Sequence, residues 1–276
     1  MEELFSKLNI VKKVINNIDI TINNVSQLLD DNENTITWCN DKNIDKLKYV
    51  TNKYIIINKD IDIKLSEFNN YLFVEKPRVE FKKVLDYLHP STYNVEPIFG
   101  NNVFIGENVK IGENVKIGHN TVILDNTFIG DNVTIGCNNT IGSVGFGYEK
   151  NEDGYYDLIK HIGNVIIDNN VEIGNNNCID RAVMGSTIIG ENVKIDNLVH
   201  IAHGVVIGKN SLIIANSMIA GSTIIGENVW IAPSTSIINK INIGDDSMTG
   251  IGTVVVKNIG NKELHVGVPS KKIKEI

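Results

Sequence analysis

The most regular feature of the chain is an isoleucine at every sixth position. It occurs at Ile105, Ile111, Ile117, Ile123, Ile129, Ile135 and Ile141, resumes at Ile167, Ile173 and Ile179, and after a slip of phase runs unbroken from Ile189 to Ile243. A period of six matches neither the 3.6-residue repeat of a helix nor the alternation of a half-buried strand. It matches a chain that turns a corner after each short straight side, so that three sides close a triangular coil of eighteen residues. β-Branched isoleucine fills the inside of such a prism, each stacked on another about 4.8 Å away in the next coil. After each isoleucine come mostly Gly, then Glu, Asp or Asn, then Asn, residue types that suit tight corners and tolerate positive φ. A coiled coil would need sevens, and a propeller a period of about forty.

Two segments interrupt the repeat. Gly145 to His161, GFGYEKNEDGYYDLIKH, is a polar and aromatic loop between coils, and CIDRAVMGST, between Ile179 and Ile189, carries the phase slip. Regular coils have few ways to build a specific pocket, so function is expected at these breaks. Ahead of the repeat, residues 1–92 predict a small α/β domain. Leu4, Leu8, Val11 and Ile15 mark one helical face, Tyr54–Lys59 and Tyr71–Lys76 read as strands, and a helix is opened by Pro77 and closed before Pro90. Residues 93–260 form the repeat domain and 261–276 a short tail, in which Gly267 and Pro269 prevent long regular structure.

The chain has 276 residues, 42% hydrophobic and 21% charged, enough for a sizeable core. A net charge of -7 argues against nucleic acid or an anionic membrane as the main partner. Cys39, Cys137 and Cys178 are odd in number and widely spaced, which fits neither a disulfide framework nor a zinc site. The N-terminus lacks a long apolar stretch with a cleavage site, and nowhere do roughly 18 apolar residues run together, so a cytoplasmic protein without membrane insertion is expected.

The repeat, with GSVGFGYE (Gly142 to Glu149), HIGNVIIDNNVEIG (His161 to Gly174), CIDRAVMGSTIIG (Cys178 to Gly190) and KIDNLVHIAHGVVIG (Lys194 to Gly208), resembles the hexapeptide-repeat acyltransferases. Their fold is a left-handed parallel β-helix. Within that family these segments look like one branch, the lipid A pathway enzymes that N-acylate UDP-3-O-acylglucosamine. In residues 1–92, NTITWCND and YLFVEKPRVEFKKVL are similar to the nucleotide-binding module of those enzymes, so the resemblance extends over nearly the whole chain. This chain departs from them in having fewer coils before the loop, no C-terminal helices of the kind that engage acyl carrier protein, and a GVPSKK ending similar to the tails of coenzyme A-dependent relatives. The resemblance therefore implies transfer of an acyl group from acyl-CoA to the amino group of a dTDP- or UDP-linked amino deoxysugar for surface polysaccharide synthesis. An acyl carrier protein-dependent lipid A enzyme is the alternative, and a non-catalytic trimeric scaffold or sugar-binding module is an alternative of another class. A homotrimer is implied, with acyl-CoA as co-substrate and no tightly bound cofactor or metal.

Amide formation needs an amine stripped of its extra proton, and histidine is the side chain suited to accept it at neutral pH. His203, in IAHGV, matches the family's general base, and Asp196 matches the carboxylate paired with it. Gly221 lies eighteen residues beyond His203, one coil on, where its N–H matches the donor to the developing oxyanion. Taken singly, each is also an ordinary corner residue. Trp38 falls where the family stacks an aromatic on the nucleobase, and Phe146, Tyr148, Asp180 and Arg181 at the two breaks are candidates for holding sugar or phosphates. Lys271 and Lys272 are candidates for the phosphates of coenzyme A. Lys240 stands where the lipid A enzymes carry a second histidine near the acyl donor. His200, offset by three from His203, is expected to face another direction, as a pocket-wall or a structural residue. The zinc site of a gamma carbonic anhydrase, which uses the same fold, would need a third histidine beside these two.

Overall fold

The computed structural model describes residues 1–17 and 19–275 and divides the chain into two units, Met1–Thr92 and Tyr93–Ile276. The first unit is a five-stranded sheet flanked by helical segments. Its strands are β1 (Ile10–Val14), β2 (Asn24–Val25), β3 (Thr35–Trp38), β4 (Lys53–Asn58) and β5 (Asn70–Val74), in the spatial order β1-β5-β4-β3-β2, with β1 antiparallel and the others parallel. Helix α1 spans Glu2–Ser6 and α2 spans Pro77–Leu88. Alternate residues of the central strands serve opposite faces. Tyr54, Ile56, Leu72 and Val74 pack with Val84 of α2, while Ile55, Ile57, Tyr71 and Phe73 pack with Leu47 and Val50. This double burial is why β4 and β5 read as continuous apolar runs.

One expectation fails in this unit. The helical face from Leu4 to Ile15 does not exist, because α1 ends at Ser6 and Ile10–Val14 joins the sheet edge against β5. Leu4 and Leu8 do reach the core, but Val11 is 61% exposed. The sequence IVKKV, β-branched at three of five positions, gains ladder hydrogen bonds from the open edge of β5, a tertiary gain that overrides the helical spacing.

The second unit is a left-handed parallel β-helix. Two-residue strands ending in the repeated isoleucines stack into three sheets of eight, seven and ten strands, and the partners are mostly eighteen residues apart, as in His200 with Met218. The isoleucines form one continuous core, with Ile123, Ile141, Ile201, Ile213, Ile219 and Ile237 fully buried. Each such side chain contributes about 1.5–3 kcal/mol through burial. Two positions before the isoleucines stand mostly Val, Thr or Ser, with Asn139, Asn177 and Ile241 as exceptions, and nearly all of them are buried. The hydroxyls are satisfied by corner carbonyls, as when Thr127 Oγ1 donates to Leu124 O at 2.7 Å.

At the corners the labour is divided between residue types. The asparagines, such as Asn108 and Asn132, take the positive φ. The glycines instead permit close stacking, since a Cβ on Gly106 would lie 2.3 Å from Asp125 Oδ1 and 2.7 Å from its nitrogen. Both interruptions are seen as departures from the register of eighteen. Thr140 pairs with Cys178, 38 residues on, around the inserted loop, and Cys178 pairs with His200, 22 residues on, around a bulged corner at residues 182–185. The loop carries its own strand pair, Tyr148–Lys150 with Tyr156–Leu158. The tail is not irregular. Glu263–Val266 adds to one face of the prism, and Lys271–Glu275 turns back antiparallel on it. The three cysteines are free, and among the described residues no helix is long and apolar enough to cross a membrane.

Candidate functional site

A cavity of about 560 Å³ opens along one corner of the prism, lined by Asp180, His200, His203, Gly221, Ser222, Asn239 and Lys240, with Met218, Ile238, Val254 and Val256 as apolar wall and Phe146 from the loop. The repeat dictates this alignment. His203 follows the strand His200–Ile201 by two residues, Gly221 holds the same place after Met218–Ile219, and Asn239 the same after Ser236–Ile237. The three therefore form a column.

Gly221 lies directly against the imidazole of His203: a Cβ built on it would be 2.7 Å from Cε1 and 2.8 Å from Nε2. At several other corners the corresponding N–H is capped by an Asp or Asn side chain from the next coil, as Glu107 N–H donates to Asp125 at 2.8 Å and Glu227 N–H to Asp245 at 2.8 Å, while at His119, Asp125, Glu191 and Lys209 no such cap is found among the described residues. Along this column the caps are missing. Glycine offers no side chain to His203, and among the described residues no acceptor takes the Gly221 N–H. A free backbone donor thus stands beside an imidazole at the edge of an open cavity.

His203 is half-buried, at the corner and outside the isoleucine stack. Burial pushes its imidazole below the ordinary value, the neighbouring His161 ring pushes it the same way, and the Asp180 carboxylate opposes both. The net direction favours the neutral ring, the form that can accept a proton.

Within one chain Asp196 does not reach His203. It sits after Ile195, at the preceding corner of the same coil, where it accepts from Asn197 N–H at 2.8 Å and Ala215 N–H at 3.3 Å and lines a separate shallow cavity. A separation of seven residues in a chain that turns every six places the two side chains on different edges. Asp180 takes the expected place. It is 5% exposed, follows directly on the pair Ile179 with Ile201, stands 3.8 Å from His200 Nε2 and accepts from Ser143 Oγ at 2.7 Å. Burial, with Asp180 adding to it, keeps the Cys178 thiol next to this carboxylate above its ordinary value.

The remaining candidates divide. Phe146, 87% exposed, overhangs the cavity and packs on Tyr148 with ring centroids 4.9 Å apart, while Tyr148 itself does not line the cavity. Arg181 is engaged in part: its guanidinium donates to Gly142 O at 2.6 Å and to Asp125 O at 3.3 Å, fastening the base of the loop. Lys240 reaches the cavity from a positive-φ corner, and its N–H donates to Gly221 O at 3.0 Å. Lys271 and Lys272 do not line it, and Lys272 is engaged by Glu263 and Glu275 within the terminal hairpin. His200 lines the wall, and among the described residues no three of His, Cys, Asp and Glu gather as metal ligands.

In the first unit, Trp38 ends β3, half-buried, and lines a cavity of about 320 Å³ with Ser26, Gln27, Leu28, Thr37, Asn40, Asn43 and Phe81. The Asn40 Oδ1 beside it is buried and has no hydrogen-bond partner. Asn40 and His161, described further below, carry no periodic signal in the sequence. Only the direct geometry draws attention to them.

The sequence pattern described as bacterial transferase hexapeptide (six repeats) matches residues 96–131, 108–143 and 186–221. All of these matched residues lie in the prism, which they cover in part. A UDP-3-O-acylglucosamine N-acyltransferase of Cytophaga hutchinsonii is 56% identical over 78 residues, covering 28% of this chain and 22% of that protein. The enzyme of the same name from Desulfotalea psychrophila is 49% identical over 133 residues, 48% of this chain and 39% of that one. The matches therefore span well under half of these relatives' own length. Among solved structures, the UDP-N-acetylglucosamine acyltransferase of Francisella novicida superposes with a TM-score of 0.51 at 23% identity, covering 65% of this chain and 66% of that one, a likeness of fold.

Proposed function

We propose that this protein is an N-acyltransferase that moves an acyl group from acyl-CoA to the amino group of a dTDP- or UDP-linked amino deoxysugar. The observation that carries the reading is the uncapped Gly221 N–H stacked one coil beyond His203 at an open cavity. The sugar ammonium loses one proton to solvent, and the neutral amine attacks the thioester carbonyl carbon, forming the C–N bond as His203 takes the second N–H proton. The carbonyl oxygen, now an oxyanion, accepts from Gly221 N–H. Collapse breaks the C–S bond, and the His203 imidazolium gives its proton to the departing thiolate, leaving amide and free thiol. A base so placed accounts for about 10²–10⁴ in rate.

The apolar wall of Met218, Ile238, Val254 and Val256 suits an acyl chain, and Lys240 suits an anionic part of the donor. In the first unit, Trp38 offers a stacking face, and the unpaired Asn40 carbonyl oxygen an acceptor for the imide N–H that uracil and thymine share. The cytoplasm, where nucleotide sugars and acyl thioesters meet, and a homotrimer belong to the same proposal.

The printed names of the similar proteins favour a second reading, N-acylation of UDP-3-O-acylglucosamine from acyl carrier protein. Incubation with acetyl-CoA or short 3-hydroxyacyl-CoA and dTDP- or UDP-amino sugars, beside long-chain acyl carrier protein and UDP-3-O-acylglucosamine, separates the two by product mass. Amide product with the CoA donors supports the first reading, and product only with the carrier protein selects the second. Absence of product in every combination, with nucleotide binding intact, leaves the scaffold or sugar-binding module.

A further inference from the structure

His161 closes the inserted loop, and it is 6% exposed. Its Nδ1 lies 2.7 Å from Ile159 O. A carbonyl only accepts, so the hydrogen is on Nδ1 and Nε2 carries a lone pair. That Nε2 is buried and has no hydrogen-bond partner, so the desolvation of its lone pair is uncompensated. The ring next to it is His203, with centroids 5.3 Å apart and planes at 82°. This separation leaves room for one hydrogen bond of about 3 Å between facing ring edges.

Gly145 passes beside both rings, and a Cβ there would lie 3.0 Å from His161 Nε2 and 3.0 Å from both Cβ and Cδ2 of His203. The edge of His203 toward the orphaned lone pair is therefore its carbon edge, while Nδ1, Cε1 and Nε2 lie toward Gly221. A half-turn of the imidazole about Cβ–Cγ exchanges Cδ2 with Nδ1 and Cε1 with Nε2 without changing the ring's shape. Nitrogen then faces His161, and the other nitrogen still faces Gly221.

We infer that His161 is a positioning residue for His203: its Nε2 accepts the His203 Nδ1–H, which fixes the tautomer that leaves the His203 Nε2 lone pair toward the cavity. The inference rests on the proposed role of His203 as base. Ile159 O, His161 and His203 then form a directed chain in which each acceptor sets the tautomer of the next ring, the part a carboxylate plays in a Ser-His-Asp triad. A neutral acceptor fixes orientation without adding a charge, and Asp180 supplies the charge from the preceding coil. The lack of side chains at Gly145, and at Gly147, where a Cβ would lie 3.1 Å from His161 Cε1, is what lets the loop pass this close.

The test is nitrogen NMR of ¹⁵N-histidine-labelled full-length protein near neutral pH, together with steady-state kinetics. In the wild type, His203 should show the Nδ1–H tautomer. His161→Phe, which keeps an aromatic ring and removes the acceptor, should give a mixture of tautomers and lower kcat at least tenfold with KM changed less than about twofold. His161→Gln, whose amide oxygen reaches the place of Nε2, should restore the tautomer and most of the rate. If His161→Phe does not fold, Gly145→Ala, which presses a methyl group against both rings and forces them to shift, should reproduce the mixed tautomer. A wild-type His203 protonated on Nε2, or one whose tautomer is the same in all these variants, overturns the inference. If the wild type transfers no acyl group, the base assignment falls, yet the tautomer still decides whether the two rings are bonded.

Discussion

Gly221 and the His203 imidazole touch across one coil, so closely that a methyl group on the glycine would stand 2.7 Å from the ring. The glycine here is a matter of space, since its φ is not in the left-handed region. Gly221→Ala should therefore displace the imidazole and the corner N–H together while leaving the isoleucine stack intact. A loss of kcat of about 10²-fold or more is expected, with an unchanged melting transition. A variant that keeps full activity would remove the pair from the mechanism.

The carboxylates at the two corners make opposite predictions. Asp180 raises the affinity of His203 for protons, and Asp196 of the same chain, on another edge, is not among the groups that shift it. In an NMR titration, Asp180→Asn should move the His203 pKa further down, whereas Asp196→Asn should leave it in place. The same shift predicts the pH profile. His203 must be neutral to act, and its pKa is already depressed, so the acid limb of kcat/KM should fall below the ordinary histidine value of about 6.5.

The difference between these two residues shows where the sequence could be read and where it could not. Column arithmetic works inside an unbroken run of coils: eighteen residues from His203 lead to Gly221, and the structure puts them in contact. Across a break it fails. His203 and Asp180 are 23 residues apart, one more than the local register of 22, and that register follows from a bulged corner whose extra length no periodicity announces. Asp196, matched by resemblance, lies seven residues away within a regular coil, where the period of six by itself places it at another corner. His161 belongs to an inserted loop with no register at all. In the first unit Ile10–Val14 carried a helical spacing, yet the open edge of β5 decided its conformation.

Trp38 is accessible enough to stack on a ligand, and the Asn40 oxygen beside it lacks a donor. Trp38→Ala should weaken binding of UDP or dTDP by roughly 10- to 100-fold, the effect of removing about 1–3 kcal/mol of base stacking. Calorimetric titration with UDP, dTDP and ADP checks this. Binding of ADP as tight as UDP would show that the Asn40 oxygen reads no imide donor.

The wall of that same cavity is held by a buried lysine. Lys53 is 1% exposed, and its ammonium donates to Ser26 Oγ at 3.0 Å, Gln27 O at 3.0 Å and Asp30 O at 2.9 Å, as well as to the Asp30 carboxylate. Burial alone would raise the Asp30 pKa, but the bonds from Lys53, Asn32 and Gln27 outweigh it and hold the group at about 2. A carboxyl more acidic in the folded than in the unfolded chain stabilises the fold above the unfolded pKa of about 3.9, and that contribution is lost as pH falls. The first unit should therefore lose stability between about pH 4 and pH 2. Lys53→Met leaves Asp30 without its main partner and should cost about 2–3 kcal/mol, less than for a fully buried pair because Asp30 is partly exposed. In that variant burial prevails, the Asp30 pKa rises, and the pH dependence over this window should flatten or reverse. Urea unfolding followed by Trp38 fluorescence in a Trp230→Phe background reads the first unit alone. An unchanged pH dependence in Lys53→Met would show that the pair does not set the acid stability of this unit.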